Sequence, residues 1–188
     1  TRFATGLELV PIPAIGPQPA RFDVHRVAPR GIRHRRAGTH DPGERLILCD
    51  DPRDLDGFGP HAAAGDGWHY RWSTAVFAAM GYVVCSVNYH GSSGFGYAFL
   101  DSISQRYGQL ELQDIEAATD VLLKQPWSDR KRVFAAGGSY GGYLVAWMNG
   151  HAPAERYQAY VCHAGCFDWT AMFADDSYTW HAREFGAW

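Results

Sequence analysis

The stretch that decides the fold is residues 132–142, with the sequence Arg132-Val133-Phe134-Ala135-Ala136-Gly137-Gly138-Ser139-Tyr140-Gly141-Gly142. Its first five residues predict a buried strand, and residues 141–149 predict a helix that ends at Gly150. The Gly-x-Ser-x-Gly pattern predicts a very tight turn, because a serine in a strained backbone conformation tolerates only small residues two positions away. We expect this turn to present the Ser139 hydroxyl at the carboxyl end of the sheet and the Tyr140 N–H toward a developing oxyanion.

Strands and helices alternate on both sides of this turn. After residue 66 the sequence predicts helices over residues 72–80 and 110–124, and strands over residues 82–87 and 157–162. The run at 82–87 is apolar almost throughout, which favours a strand covered on both faces in a parallel sheet. Helix 110–124 carries its acids early, where they suit the helix dipole: Glu111, Asp114 and Glu116. The alternation predicts an α/β fold, a mostly parallel sheet with crossover helices.

The beginning of the chain has a different character. Four prolines within residues 11–19 predict an extended segment, and we interpret residues 1–20 as a linker. Residues 21–60 give weak strand signals, of which Leu46-Ile47-Leu48-Cys49 is the clearest. We therefore assign residues 21–188 to a single domain.

Composition narrows the classes of function. The chain has 188 residues, of which 46% are hydrophobic and 20% charged, as in globular proteins. A net charge of -3 gives no reason to expect a nucleic-acid partner, and the apolar runs are too short to cross a membrane. Four cysteines do not make a disulfide framework, and Cys162-His163-x-x-Cys166 lacks the spacing of a metal site. Cys162 and His163 are interpreted instead as the end of a buried strand. The sequence predicts a soluble protein, cytoplasmic or exported, whose compartment it does not specify.

Several segments of residues 61–188 resemble the catalytic domain of the prolyl oligopeptidase family of serine peptidases, especially its acylaminoacyl-peptidase and dipeptidyl-peptidase 5 branch. The matching segments are Trp68-His69-Tyr70-Arg71-Trp72, Asn88-Tyr89-His90-Gly91-Ser92-Ser93-Gly94-Phe95-Gly96, Gly138-Ser139-Tyr140-Gly141-Gly142-Tyr143 and Glu184-Phe185-Gly186. The resemblance implies an α/β-hydrolase fold that cleaves peptides through an acyl-enzyme. It implies a peptide as substrate and no metal or organic cofactor.

The resemblance also assigns residues to the reaction. Ser139 matches the nucleophile, and Tyr140 matches the residue whose backbone N–H forms half of the oxyanion hole. The other half corresponds to Gly57-Phe58-Gly59-Pro60-His61, which assigns the N–H of Gly59. In that segment glycine stands where the family motif has histidine, and Phe58 replaces a glycine. One hypothesis for this interruption is a shift of reading frame within about residues 28–58.

The base and carboxylate of a Ser-His-Asp triad are not evident in this chain. A serine hydroxyl needs a general base, and in this fold the order is Ser, Asp, His. The family places the last two after further strands, so we expect them beyond Trp188 and regard residues 21–188 as a partial α/β-hydrolase catalytic domain. Asp168, Asp175, Asp176 and His181 have the right order, but all four lie in one connection, and His181 is better interpreted as a surface or packing histidine. The β-propeller that the family carries before this domain is expected in the intact chain.

Two other functions remain open from the sequence. The Gly-x-Ser-x-Gly turn is shared by esterases and lipases of the same fold, and a non-catalytic α/β-hydrolase could serve as a binding module. His90 is interpreted either as lining the substrate cleft or as a loop histidine in solvent. Tyr143, Trp147 and Trp169 are candidates for shaping an apolar pocket, and for Tyr143 and Trp147 a helix face packed on the sheet is an equal alternative. Oligomeric state and the choice between exo- and endopeptidase activity are not specified.

Overall fold

The computed structural model describes residues 21–25, 44–49, 76–77, 80–174 and 178–186. The predicted linker, residues 1–20, lies outside the described residues, as does most of the predicted helix 72–80. Within that helix, Val76 and Phe77 are helical. The N–H of Met80 donates to the carbonyls of Val76 at 3.2 Å and Phe77 at 3.0 Å, which closes the last turn at the predicted position.

The sheet contains five strands among the described residues. They are β1 (Arg21–His25), β2 (Glu44–Cys49), β3 (Tyr82–Asn88), β4 (Ser128–Gly138) and β5 (Ala159–His163), in the spatial order β1-β3-β2-β4-β5. β2, β3, β4 and β5 pair in parallel, and β1 pairs antiparallel with β3. The predicted parallel sheet is confirmed, and the antiparallel edge strand β1 adds to it.

Helices connect the parallel strands. They are α1 (Tyr97–Leu100), which continues into a 3-10 turn at Asp101–Ile103, α2 (Gln109–Leu122), α3 (Tyr140–His151), α4 (Trp169–Met172) and α5 (Tyr178–Phe185). The order β3, α2, β4, α3, β5 is the crossover arrangement that a parallel sheet requires. Of the helices in the described ranges, none has the length and apolar character that a membrane crossing needs.

The core forms around β3, which is buried along almost its whole length. Val83 and Val84, which point to opposite faces of the sheet, are 1% and 0% exposed, so the prediction of a strand covered on both faces is confirmed. Ile115 and Leu122 of α2 pack into the same cluster, together with Leu144 and Met148 of α3. The face of α2 that carries Ile115 and Leu122 is therefore turned toward the core.

β5 departs from the sequence interpretation because its residues are mostly exposed. The sequence predicted that Cys162 and His163 end a buried strand, and this is wrong: both side chains are exposed. In the described part of the chain β5 is the last strand in the sheet order and has a neighbour only at β4. Apolar strand composition therefore predicted the element, whereas the number of its neighbours decided its burial.

The end of α3 also differs slightly from the prediction. The helix passes Gly150 and ends at His151. The imidazole Nδ1 of His151 lies 2.9 Å from the Trp147 carbonyl oxygen, and its ring stacks on the Trp147 ring at 3.8 Å. This side-chain contact extends the last turn, and Pro153 two residues later prevents further helix.

A buried carboxylate joins α2 to α3. Glu111, which the sequence assigned to the helix dipole, is 0% exposed and faces inward. Its Oε1 accepts the backbone N–H of Gly108 at 3.0 Å and the hydroxyl of Tyr140 at 2.5 Å. Burial raises the pKa of this carboxyl, and the bonds from Gly108 and Tyr140 oppose the shift. Glu111 therefore fixes the first residue of α3 to the first turn of α2.

A second buried carboxylate holds α5 in place. Glu184 is 1% exposed, and its Oε2 accepts the hydroxyl of Tyr107 at 3.0 Å and that of Ser104 at 3.2 Å. Its backbone carbonyl accepts the N–H of Gln105 at 2.8 Å. The loop before α2 is thus bonded to α5 through both the backbone and the side chain of a single residue.

Replacing Ile115 by alanine is expected to lower the free energy of unfolding by about 2–5 kcal/mol, because it empties a buried site in the main core. The control is Gln113→Ala, two residues away on the exposed side of the same helix, with an expected change within about 0.5 kcal/mol. Urea unfolding measures the free energy of unfolding of both variants. Equal effects of the two substitutions would contradict the assigned face of α2.

The raised pKa of Glu111 predicts a pH dependence of stability. Between the ordinary carboxyl pKa and the raised one, the folded state holds more protons than the unfolded state. The free energy of unfolding contributed by Glu111 therefore falls as pH rises through that interval. Glu111→Gln keeps an oxygen acceptor for Gly108 and Tyr140 but does not titrate. The free energy of unfolding of wild type, minus that of this variant, should therefore fall as pH rises over the same interval.

Urea unfolding of wild type and Glu111→Gln at a series of pH values measures that difference. Glu111→Ala is the companion variant, because it leaves the Gly108 N–H and the Tyr140 hydroxyl without their acceptor. It should destabilise by about 1–3 kcal/mol per lost partner at every pH. A difference between wild type and Glu111→Gln that stays constant with pH would exclude the proposed titration.

Candidate functional site

Ser139 lies at the junction of β4 and α3, the sharpest bend in the sheet. Its backbone has φ 55° and ψ -116°, which is a strained conformation for any residue except glycine. The residue is exposed, whereas Gly138 before it and Tyr140 after it are buried. The bend therefore presents the Ser139 side chain to solvent at the carboxyl end of a parallel strand, which is the geometry that the Gly-x-Ser-x-Gly pattern predicts.

Three backbone hydrogen bonds hold the strained residue. The Ser139 N–H donates to the His163 carbonyl at 2.9 Å. The Ser139 carbonyl accepts the N–H of Tyr143 and the N–H of Cys166, each at 3.2 Å. Because two of these bonds come from the end of β5 and the turn after it, the neighbouring strand fixes the position of the bend.

Small residues on both sides of the bend are required by close backbone contacts. A Cβ atom on Gly137 would collide with the backbone carbonyl of Gly141. A Cβ atom on Gly142 would lie 2.6 Å from the Cα atom of Gly165, in the turn after β5. Backbone atoms cannot move aside as a flexible side chain can, so both positions require glycine. The missing Cβ atom at Gly137 lets the strand turn directly into the helix. The missing Cβ atom at Gly142 lets the helix lie against the turn after β5.

Tyr140 supplies a candidate oxyanion donor through its backbone. As the first residue of α3, its N–H has no acceptor within the helix and lies at the positive end of the helix dipole. Its side chain is 2% exposed and bonds to Glu111. Burial, together with the nearby Glu111 carboxylate, raises the pKa of the Tyr140 hydroxyl, so it remains a proton donor to that carboxylate.

The aromatic residues near the bend form a packed cluster. The Trp169 ring lies 5.3 Å from that of Tyr143 and 5.6 Å from that of Tyr107, and the Tyr107 ring lies 5.1 Å from that of Tyr140. Burial raises the pKa of Tyr143 to about 12. Of the two interpretations of Tyr143, these contacts support packing, and Trp169 belongs to the same packed cluster. Trp147 instead stacks on His151 at the far end of α3.

The loop after β3 is bonded to α2 through His90. The His90 side chain is buried, and both its backbone N–H, at 2.7 Å, and its ring Nδ1, at 2.6 Å, contact Oδ2 of Asp114. Its ring stacks on that of Phe99 at 4.5 Å. The interpretation of His90 as a loop histidine in solvent is therefore wrong. Burial raises the pKa of the Asp114 carboxyl, and the bonds from His90 oppose this.

The other residues considered for the reaction have different positions. Gly59, assigned to the second oxyanion donor, lies outside the described residues, as do Asp175 and Asp176. Asp168 caps α4, where its carboxylate accepts the Ala171 N–H at 3.0 Å. The His181 side chain is 0% exposed, with its ring 5.7 Å from that of Phe173 and 6.2 Å from that of Trp169. The packing interpretation of His181 agrees with this burial.

The sequence interpretation missed Glu111, Asp114 and Glu184 as residues that support the site. Glu111 and Asp114 share the face of α2 that carries Ile115, at the three- and four-residue spacing of neighbours on a helix. That spacing was a usable signal, because a carboxylate on an apolar face must find buried donors. For Glu184 the partners Ser104 and Tyr107 are about eighty residues away, and the sequence gives no comparable signal.

Among the residues that the structure describes, no group of three histidine, cysteine, aspartate or glutamate side chains is placed to hold a metal ion. Cys162, His163 and Cys166 are among these residues; the first two are exposed and Cys166 is half-exposed.

Comparison with known proteins places this geometry in a family. The chain is 33% identical over 169 residues to dipeptidyl-peptidase 5 of Porphyromonas gingivalis. This alignment covers 84% of this chain and 25% of that protein. It is 39% identical over 110 residues to a probable dipeptidyl-peptidase 5 of Aspergillus terreus, covering 58% of this chain and 15% of that protein. The chain thus spans about a quarter or less of the length of these relatives.

Solved structures show the same fold. The acylaminoacyl peptidase of Pyrococcus horikoshii superposes with a TM-score of 0.76 at 22% identity, over 97% of this chain and 27% of that one. Dipeptidyl peptidase 4 of Porphyromonas gingivalis gives a TM-score of 0.72 at 20% identity, over 97% of this chain and 23% of that one. These neighbours establish a partial α/β-hydrolase fold. The sequence model of the prolyl oligopeptidase family matches residues 68–188, and the chain belongs to that family.

Proposed function

We propose that this chain is part of a serine peptidase that hydrolyses peptide bonds through an acyl-enzyme at Ser139. The observation that carries the proposal is the exposed serine at φ 55° between a parallel strand and a helix. A hydroxyl held there can approach a carbonyl carbon while the first N–H of the following helix faces the carbonyl oxygen. Membership of the prolyl oligopeptidase family and the peptidase names of the relatives support peptides as the substrate class.

In the proposed reaction the Oγ atom of Ser139 attacks the peptide carbonyl and a base takes its proton. The N–H of Tyr140 stabilises the negative oxygen, and we assign the N–H of Gly59 as the second donor. Loss of one such donor typically raises the barrier by about 3 kcal/mol. The base returns the proton to the leaving amine, and water then hydrolyses the ester at Ser139.

We assign the base and its carboxylate to residues of the longer protein beyond Trp188. Two observations support this assignment. His181 is completely buried among aromatic rings, and Asp168 is engaged as a helix cap. The relatives are about four or more times longer than the matched part of this chain, so the longer protein has room for these residues. We also propose that the longer protein carries the family's β-propeller before this domain.

Replacing Ser139 by alanine in the intact protein should abolish labelling by a fluorophosphonate probe and lower kcat for peptide hydrolysis by about 10⁶-fold, because it removes the hydroxyl that attacks the carbonyl carbon. The matched control is Ser102→Ala, which removes a hydroxyl that donates to the Phe99 carbonyl in the segment after β3. That variant should label like wild type. Labelling that persists in Ser139→Ala would exclude Ser139 as the nucleophile.

Hydrolysis of aminoacyl-nitroanilides against short acyl esters distinguishes a peptidase from an esterase that shares the same turn. We expect higher kcat/KM on the nitroanilides. Turnover confined to esters would favour the esterase, and a wild-type protein that neither labels nor hydrolyses either substrate class would favour a binding module.

A further inference from the structure

The first turn of α3 carries the candidate oxyanion donor, but the side chain of Ser139 does not cap it. A serine before a helix usually accepts an N–H of the first turn through its hydroxyl, with its own backbone extended. Ser139 has φ 55° instead, and in the described first turn of α3 no N–H is bonded to its side chain. The hydroxyl is thereby left for the proposed reaction, and other contacts must fix the direction of the Tyr140 N–H.

The side chain of Tyr140 supplies such a contact. Its hydroxyl donates to Oε1 of Glu111 at 2.5 Å, and its ring lies 5.1 Å from that of Tyr107 and 5.5 Å from that of Tyr143. A side chain held at its tip and along its ring restrains the Cα atom to which it is attached. It therefore also restrains the peptide plane between Ser139 and Tyr140, which carries the donor hydrogen.

Glu111 is itself held firmly at the start of α2. Its side chain is completely buried, and Oε1 also accepts the N–H of Gly108 at 3.0 Å. α3 contacts this place a second time, since a Cβ atom on Gly108 would lie 2.7 Å from the ring of Trp147. Tyr140 and Trp147 are about two helical turns apart. The two contacts together fix both the start of α3 and its direction.

The bond between Tyr140 and Glu111 does not depend on exposure to solvent. The two residues are 2% and 0% exposed, and their contacts come from α2, α3 and the loop before α2. Further segments of the longer protein can cover this region without displacing those contacts. Oε2 of Glu111 has no hydrogen-bond partner among the described residues, so both bonds of the side chain pass through Oε1.

We propose that Glu111 is a positioning residue for peptide hydrolysis, which acts through the Tyr140 hydroxyl to direct the Tyr140 N–H at the oxyanion. The bond should matter most when negative charge develops on the carbonyl oxygen, and little when the uncharged peptide binds. The inference rests on the proposed function of Ser139. It adds to that function a residue beneath the bend that influences the rate without taking part in the reaction.

Tyr140→Phe in the intact protein removes this bond and keeps the ring. The matched control is Tyr157→Phe, which removes another buried tyrosine hydroxyl that donates to a glutamate of α2, Glu116, at 2.7 Å. Tyr157 precedes β5, at the opposite end of that strand from the bend. Both variants should be less stable in urea, because each loses a buried hydrogen bond. Only Tyr140→Phe should lose rate.

Hydrolysis of an aminoacyl-nitroanilide gives kcat and KM, and fluorophosphonate labelling taken to completion counts the active sites of each variant. Full loss of an oxyanion donor typically lowers kcat by about 10²–10³-fold, so a donor that is present but loosely held should cost about 10-fold. We expect this loss of kcat in Tyr140→Phe, with KM unchanged. Affinity for a peptidyl trifluoromethyl ketone, whose adduct with serine carries a negative oxygen, should fall by the same factor.

Two variants of Glu111 test the bond from its other side. Glu111→Ala removes the acceptor and should lower kcat as Tyr140→Phe does. Glu111→Gln should keep most of the wild-type kcat, because its amide oxygen can accept both bonds that Oε1 accepts. A purely structural role would lower the stability and the number of active sites in these variants, but not kcat per site.

Wild-type kcat per site in Tyr140→Phe and Glu111→Ala would overturn the inference. An equal loss in Tyr157→Phe, or a kcat of Glu111→Gln no higher than that of Glu111→Ala, would do the same. If neither Tyr140→Phe nor Glu111→Ala folds, the bond serves the fold and not the donor, and the inference also falls.

Failure of the proposed function gives a different result. Wild type itself would then neither label nor hydrolyse the nitroanilide, and both proposals would fall. If wild type is active and only the predicted loss of kcat is missing, the proposed function stands and the inference about Glu111 falls.

Discussion

The strained backbone of Ser139 is the constraint on which this structure depends. A residue at φ 55° carries a cost of about 1–3 kcal/mol, so its surroundings must hold it there. Its hydrogen bonds with His163, Tyr143 and Cys166 do so, and they join the bend to α3 and to the end of β5 with the turn after it. The bend therefore requires that β4, α3 and the end of β5 are assembled together, and that backbone approaches backbone where Gly142 meets Gly165.

Buried carboxylates provide the next level of support. Glu111 holds Tyr140 to the start of α2, Asp114 holds the loop at His90, and Glu184 holds Tyr107 to α5. Each of these carboxylates replaces water by two polar partners in the protein. Apolar burial gives the sheet and its helices their cohesion, but it is not directional. Hydrogen bonds to buried carboxylates supply the direction that a site requires.

Much of this could be predicted from local sequence. The apolar run of β3, the helical spacing of α2 and the glycines around Ser139 each encode an element through contacts between near neighbours. Predictions failed where burial depends on distant partners. β5 was predicted to be buried because of its composition, but in the described part of the chain it is an edge strand. Glu111 was assigned to a helix dipole because its partner Tyr140 is twenty-nine residues away.

The sequence by itself determined the α/β fold class, the strand-to-helix turn and the serine at its centre. These depend on local periodicity and on the small size of glycine, which are properties of neighbouring residues. Only the tertiary structure decided that β1 pairs antiparallel with β3, that His90 is bonded to Asp114, and that Cys166 lies beside Ser139. Those arrangements come from contacts between segments far apart in the chain, where the partner of a hydrogen-bonding group is set by packing and not by sequence spacing.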